Sequence, residues 1–184
     1  NGTAWSAGGT KITTLRFNGG LGTEYAALSV GGYGTTSNCD CTEEYYGETW
    51  AAGGAIITPR HQIGAQAGLQ NSGLLAGGGP GACSCTEEYN GTSWATSNAL
   101  NVARRSTTGT GTQNAALYVS GICSSAAESC TEEYDGTSWA VATGNTVCRK
   151  LGALGGLQNG AFYGGGRENP SPYHSDCTEH YDGI

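Results

Sequence analysis

Hydrophobic and polar residues alternate along this chain in short stretches, each stopped by a turn residue. Ser93-Trp94-Ala95-Thr96 alternates large and small, as a half-buried strand does. Arg104 to Thr112 is a run of small polar residues that reads as a strand, and Gln113-Asn114 reads as the turn of a hairpin. Ala115-Ala116-Leu117-Tyr118-Val119 is a buried strand that ends at Ser120-Gly121. After a variable loop comes another strand, Cys130-Thr131-Glu132-Glu133-Tyr134. Asp135-Gly136 then turns the chain into Thr137-Ser138-Trp139. No helical period occurs anywhere, so the unit is expected to hold four short strands joined by hairpins.

The unit recurs. Cys-Thr-Glu-Glu-Tyr-x-Gly-x-x-Trp stands at 41–50, 85–94 and 130–139, and the leading cysteines lie 44, 45 and 47 residues apart when Cys177 is included. Arg16, Arg60, Arg104 and Arg149 fall 11, 10, 10 and 10 residues after Trp5, Trp50, Trp94 and Trp139. Hairpin turns are expected at Glu24-Tyr25, Gln70-Asn71, Gln113-Asn114 and Gln158-Asn159. The buried strands are expected to end at Gly31-Gly32, Gly77-Gly78, Ser120-Gly121 and Gly164-Gly165. Four antiparallel strands repeated about every 45 residues make propeller blades. The fold class expected is therefore all-β: a four-bladed propeller forming one domain over residues 1–184, with units at about 5–46, 50–90, 94–135 and 139–182.

The fourth copy of the motif is split between the ends. Cys177-Thr-Glu-His-Tyr-Asp-Gly-Ile184 closes the chain and Asn1-Gly-Thr-Ala-Trp5 opens it, so residues 1–5 are expected to complete the last blade. Pairing within one chain, the arrangement expected, would close a ring; the rival is pairing between chains, giving a head-to-tail filament; a third option is that the chain is an excerpt of a longer array. Close backbone approach at a narrow centre would suit Gly19-Gly20, Gly64-Ala65, Thr108-Gly109 and Gly152-Ala153.

A strand ending in Gly-Gly, a variable loop, Tyr and Trp a few residues apart and an Arg before the next strand together resemble a kelch-type repeat, over essentially the whole chain. The Glu-Glu-Tyr-Asn-Gly-Thr-Ser-Trp wording is similar to repeats of surface and tail-fibre proteins of environmental, especially marine, bacteriophages. The departures are units shorter than kelch units, Ser120-Gly121 in place of one Gly-Gly, and a five-residue gap from Tyr to Trp.

Composition narrows the setting. The net charge is −7 with pI near 4.8, which repels phosphate backbones and disfavours nucleic acid as a partner. No apolar run reaches the length of a membrane span. Methionine is absent, as expected of a processed product or a segment of something longer. Eight cysteines among few charges point to disulfides and an extracellular, virion-surface or cell-surface location. Cys41, Cys85, Cys130 and Cys177 repeat; Cys39, Cys83, Cys123 and Cys148 do not. Each bridge is expected to join one of each kind, Cys123–Cys130 being the best-supported pair and the remaining connectivity open. The Cys-x-Cys pairs lack the second matched pair and the wider spacing of a zinc site, and the histidines are scattered, so no metal is expected.

Adjacent strand residues face opposite ways, so the carboxylates of Glu43-Glu44, Glu87-Glu88 and Glu132-Glu133 cannot act together. One of each pair, and Glu179 in the last unit, is expected to face inward and pair with a repeat arginine, Arg16, Arg60, Arg104 or Arg149; the other is expected to face solvent. The four tryptophans and the tyrosines Tyr45, Tyr89, Tyr134 and Tyr181 recur once per unit and read as packing anchors. Asn1-Gly2-Thr3 and Asn90-Gly91-Thr92 are N-glycosylation acceptor patterns at Asn1 and Asn90, in an exposed turn; Asp135-Gly136-Thr137 shows that the turn alone explains such a residue. No nucleophile–base pair or phosphate-cradling motif is present, so neither catalysis nor a cofactor is expected. The expected function is a structural or appendage module that self-assembles. The alternative is a lectin-like glycan binder using the variable loops at 33–40, 79–84, 122–129 and 166–176.

Overall fold

A computed structural model describes residues 2–123, 126–168 and 174–183. The first blade is β1 (Gly19–Gly22), β2 (Ala27–Val30), β3 (Thr42–Tyr45) and β4 (Trp50–Ala52), paired antiparallel in that order. The second is β5 (Ala65–Leu69), β6 (Ser72–Ala76), β7 (Thr86–Tyr89) and β8 (Trp94–Ser97). The third begins with β9 (Thr108–Thr112) and β10 (Ala115–Val119). A two-residue rim pair, β11 (Ile122–Cys123) and β12 (Ala126–Ala127), precedes its β13 (Thr131–Tyr134) and β14 (Trp139–Ala142). The last blade is built from β16 (Ala153–Leu157), β17 (Gly160–Gly164) and β19 (Thr178–Tyr181), with β15 (Arg149–Lys150) and β18 (Arg167–Glu168) paired on its rim. Each complete sheet takes three strands from one sequence unit and the tryptophan strand that opens the next. No helix occurs among the described residues.

The sheets are arranged as propeller blades, with β1, β5, β9 and β16 innermost and each adjoining the next. Three apolar clusters fill the gaps between consecutive blades. Leu28, Val30, Ile56, Ile63, Leu75, Tyr89 and Trp94 form the first; Ala67, Leu74, Ala116, Tyr118, Tyr134 and Trp139 lie in the second; Leu117, Val119, Ala161 and Tyr163 form the third. The inner turns are tight enough that a Cβ on Gly64 would stand 1.5 Å from the Thr107 carbonyl oxygen. Phe17, Gln62, Ser106 and Leu151 adopt φ of 52–59°, one per blade. Their backbones form a ladder: Leu151 N–H donates to Ser106 (3.3 Å), Ser106 to Gln62 (3.1 Å) and Gln62 to Phe17 (3.0 Å).

Two expectations require correction. The pair that ends the buried strand of the last blade is Gly165-Gly166, both at positive φ like Gly31-Gly32 and Gly77-Gly78, and not Gly164-Gly165. Among the described residues the strand pairing expected between the termini is not formed: the fourth sheet has three strands, residues 2–5 belong to none, and Trp5 is fully exposed. The reason is geometric, since β1 and β16 do not adjoin as the other inner strands do.

Candidate functional site

The repeated arginines and glutamates are built into the fold, blade by blade. Arg60, Arg104 and Arg149 are each at most 1 % exposed and ion-paired with Glu87, Glu132 and Glu179, the last two at 2.7 Å. Each guanidinium also meets backbone carbonyls: Arg104 donates to Cys130 O at 2.6 Å, Arg149 to Cys177 O at 2.8 Å and Tyr163 O at 3.1 Å. The carboxylates accept backbone N–H groups from the entering linker: Ile57 and Thr58 on Glu87, Asn101 and Val102 on Glu132, Thr146 on Glu179. Burial pushes the Glu179 carboxyl up, but the Thr146 donors and Arg149 outweigh it and hold the group below its usual range.

Arg16 does not join this set. It is exposed, stacks over Phe17 and Tyr33, and bridges to Tyr33 as His61 does to Gly79 and Arg105 to Ile122. Its structural counterparts are His61, Arg105 and Lys150, and Leu15 holds the place of the buried arginines; the spacing of 11 rather than 10 was the signal. Glu43 instead accepts Ile12 and Thr13 N–H, with Lys11 at 3.9 Å.

The second glutamate of each pair does not simply face solvent. Glu44 accepts the Tyr89 hydroxyl (2.5 Å), Glu88 that of Tyr134, and Glu133 that of Tyr181 (2.8 Å), so each tyrosine reaches back to the preceding blade. Burial first, and then these carboxylates, push Tyr89, Tyr134 and Tyr181 up to about 12. The threonines after the motif cysteine, given no role in the sequence reading, and the turn glutamines, read only as turn residues, complete the interface with the tryptophans. Trp94 donates its indole N–H to Thr42 Oγ1 (2.9 Å) and Trp139 to Thr86 Oγ1 (3.0 Å). Gln70, Gln113 and Gln158 donate to Tyr45 O, Tyr89 O and Tyr134 O at 2.7–2.9 Å. Recurrence of Gln at the hairpin turn and Thr after the motif cysteine was the available signal.

Cys39–Cys41 and Cys83–Cys85 are bridged, with Cα atoms 5.2 and 5.4 Å apart, each joining a repeating and a non-repeating cysteine. Cys123, Cys130, Cys148 and Cys177 are free, so the expected Cys123–Cys130 bridge is not present. The place of Cys39 and Cys83 in the third and fourth blades is taken by Glu128 and Ser175, whose N–H groups make the same bond to Gly121 O and Gly166 O. Cys39, Asp40 and Cys41 cluster closely enough for metal ligation, but the disulfide occupies both thiols. Asn90 is exposed and caps its turn, accepting Thr92 and Ser93 N–H at 3.0 and 2.9 Å as Asp135 does from Thr137 and Ser138. Asn1 lies outside the described residues.

What the fold leaves incomplete is the outer edge of the fourth blade. Among the described residues, β19 pairs with β17 alone, and the third inter-blade cluster has no tryptophan. A cavity of about 210 Å³ opens there, lined by Leu117, Val119, Thr131, Leu154, Tyr163 and Tyr181 among others. Thr131 is the counterpart of Thr42 and Thr86, the indole acceptors of the other two clusters. No family model matches the chain, and no curated protein matches it.

Proposed function

We propose that this chain is a non-enzymatic structural module, a kelch-like propeller that assembles with copies of itself in an extracellular, virion-surface or cell-surface fibre. The observation that carries the reading is the blade interface. One set of contacts recurs between blades one and two, two and three, and three and four: the Tyr–Glu bond, the Gln bond to a carbonyl and the backbone ladder. No described residue makes the same set between blades four and one, so the outer faces of the first and fourth blades are left without a neighbouring blade. A head-to-tail contact that does not close propagates. The repeated arginines and glutamates support it too, because the terminal guanidinium nitrogens and the carboxylates meet one another and the backbone, while the three Nε atoms are buried without a partner. The likeness to fibre-type phage repeats agrees with this use. Electron microscopy and sedimentation velocity on the purified chain test it: elongated particles that lengthen with concentration are expected, and strictly monomeric particles at high concentration would overturn it.

A second reading, glycan binding, is favoured by one feature. Trp5, Tyr25, Tyr45, Glu24 and Glu48 line a cleft of about 940 Å³ between the N-terminal segment and the first blade, an aromatic and acidic lining suited to sugars. A glycan array probes it, and silence across the array would set it aside.

A further inference from the structure

We infer that the fourth blade of one copy is completed by residues 5–8 of a second copy, with Trp5 seated in the cavity beside Thr131. This rests on the self-assembly reading and names its junction. Three internal precedents fix the register. β4, β8 and β14 all begin at tryptophan and set it opposite the motif tyrosine: Trp50 against Tyr45, Trp94 against Tyr89, Trp139 against Tyr134. The same register places Trp5 opposite Tyr181, Ser6 opposite His180, Ala7 opposite Glu179 and Gly8 opposite Thr178. The Trp5 indole N–H then meets Thr131 Oγ1, as Trp94 meets Thr42 and Trp139 meets Thr86. Trp5 is the most exposed large hydrophobic residue among the described residues, and residues 5–8 belong to no strand.

The donor is a second copy because β1 and β16 of one chain do not adjoin as the other inner strands do, and the segment of the same chain lies against its first blade. Gly9 O accepts the Trp50 indole N–H at 3.1 Å, and Ile12 and Thr13 bind Glu43. Residues 53–64 lead from β4 to the second blade and make the matching bonds to Glu87 through Ile57 and Thr58. Residues 9–18 are thus the same kind of linker, and a donated strand at 5–8 sets the donor's first blade on the acceptor's fourth as the second blade sits on the first. Main-chain pairing along β19 supplies the general affinity and the indole supplies the anchor.

The test uses the whole chain, its Trp5→Ala variant and a dye-labelled peptide of residues 3–9. Trp5 is exposed in the single copy, so the variant should melt as the wild-type monomer does. Assembly seen by sedimentation velocity should be lost in W5A. The labelled peptide should bind the W5A chain by fluorescence anisotropy, and the same peptide with alanine at position 5 should bind at least roughly tenfold more weakly. Assemblies that persist in W5A overturn this junction and leave the fibre reading standing. A wild-type chain that stays monomeric at every concentration and refuses the peptide, because its own strand fills the slot, overturns both. Equal binding of the two peptides overturns the role given to Trp5.

Discussion

Arg60, Arg104 and Arg149 have been taken out of water and given carboxylates and carbonyls in exchange. The pair itself contributes little net stability, since desolvation offsets the attraction, but removing one partner strands the other as an unpaired buried charge. Arg104→Ala is therefore expected to lower unfolding free energy by about 3–5 kcal/mol in urea titrations. Arg16→Ala should change it by no more than about 0.5 kcal/mol, because Arg16 is exposed and has no carboxylate partner among the described residues. Equal losses from both would refute the assignment of Leu15 to the buried position. The inter-blade tyrosines set an alkaline limit. Tyr89, Tyr134 and Tyr181 are raised to about 12 in the fold, against about 10 in the unfolded chain. Between those values the unfolded state releases the proton first, so stability is full below pH ~10 and falls as pH rises toward ~12. A Tyr134→Phe variant should start about 1 kcal/mol less stable at neutral pH, and then lose less on the way up. A denaturation midpoint that is flat from pH 9 to 11.5 would contradict this.

At the scale of the strand, the second and third blades are each held to the preceding one by an indole that fills the gap and donates to a buried threonine. Trp94 and Trp139 are 6 % and 7 % exposed, so Trp94→Ala or Trp139→Ala is expected to cost about 3–5 kcal/mol in thermal or urea unfolding. Losses below about 1 kcal/mol would show that the gap collapses around the missing ring. The strands, the hairpins at Gln70-Asn71, Gln113-Asn114 and Gln158-Asn159 and the unit length could all be read from the chain, because period-two alternation and turn chemistry are local. The inward glutamate was legible in the same way, from alternation plus the need of a buried carboxylate for a partner. What could not be read was anything fixed by the neighbouring blade. Whether the second glutamate meets solvent or a tyrosine depends on how blades stack, and so does the acceptor of each indole. Arg16 misled because a one-residue difference in linker length moves a side chain from the buried position to the surface, and spacing from Trp5 shows the difference without showing which residue replaces it. The bridges at Cys39–Cys41 and Cys83–Cys85 are a local choice that pairing by kind allowed but did not single out.

At the scale of the whole molecule, the proposed junction between copies is a weaker version of the internal interface, and the differences can be named. The internal interfaces set Glu44, Glu88 or Glu133 against the next tyrosine, and the fourth blade has His180 at that place, to face Tyr45 of the following copy. They also use Gln70, Gln113 or Gln158 as donors to a carbonyl, whereas the first blade turns through Glu24-Tyr25, and a carboxylate does not donate. The array should therefore break between copies before it breaks within one. Restoring a carboxylate reverses part of that deficit. His180→Glu gives Tyr45 the acceptor that its three counterparts have, and His180 is exposed in the single copy, so the fold of the monomer should be unaffected. A hydrogen bond to a charged group contributes roughly 1.5–3 kcal/mol, which corresponds to a critical concentration lower by about ten- to a hundredfold. Sedimentation across a dilution series of wild type and H180E measures it. An unchanged or higher critical concentration in H180E, with an unaltered melting curve at low concentration, would show that Tyr45 of one copy does not come to rest against residue 180 of the next.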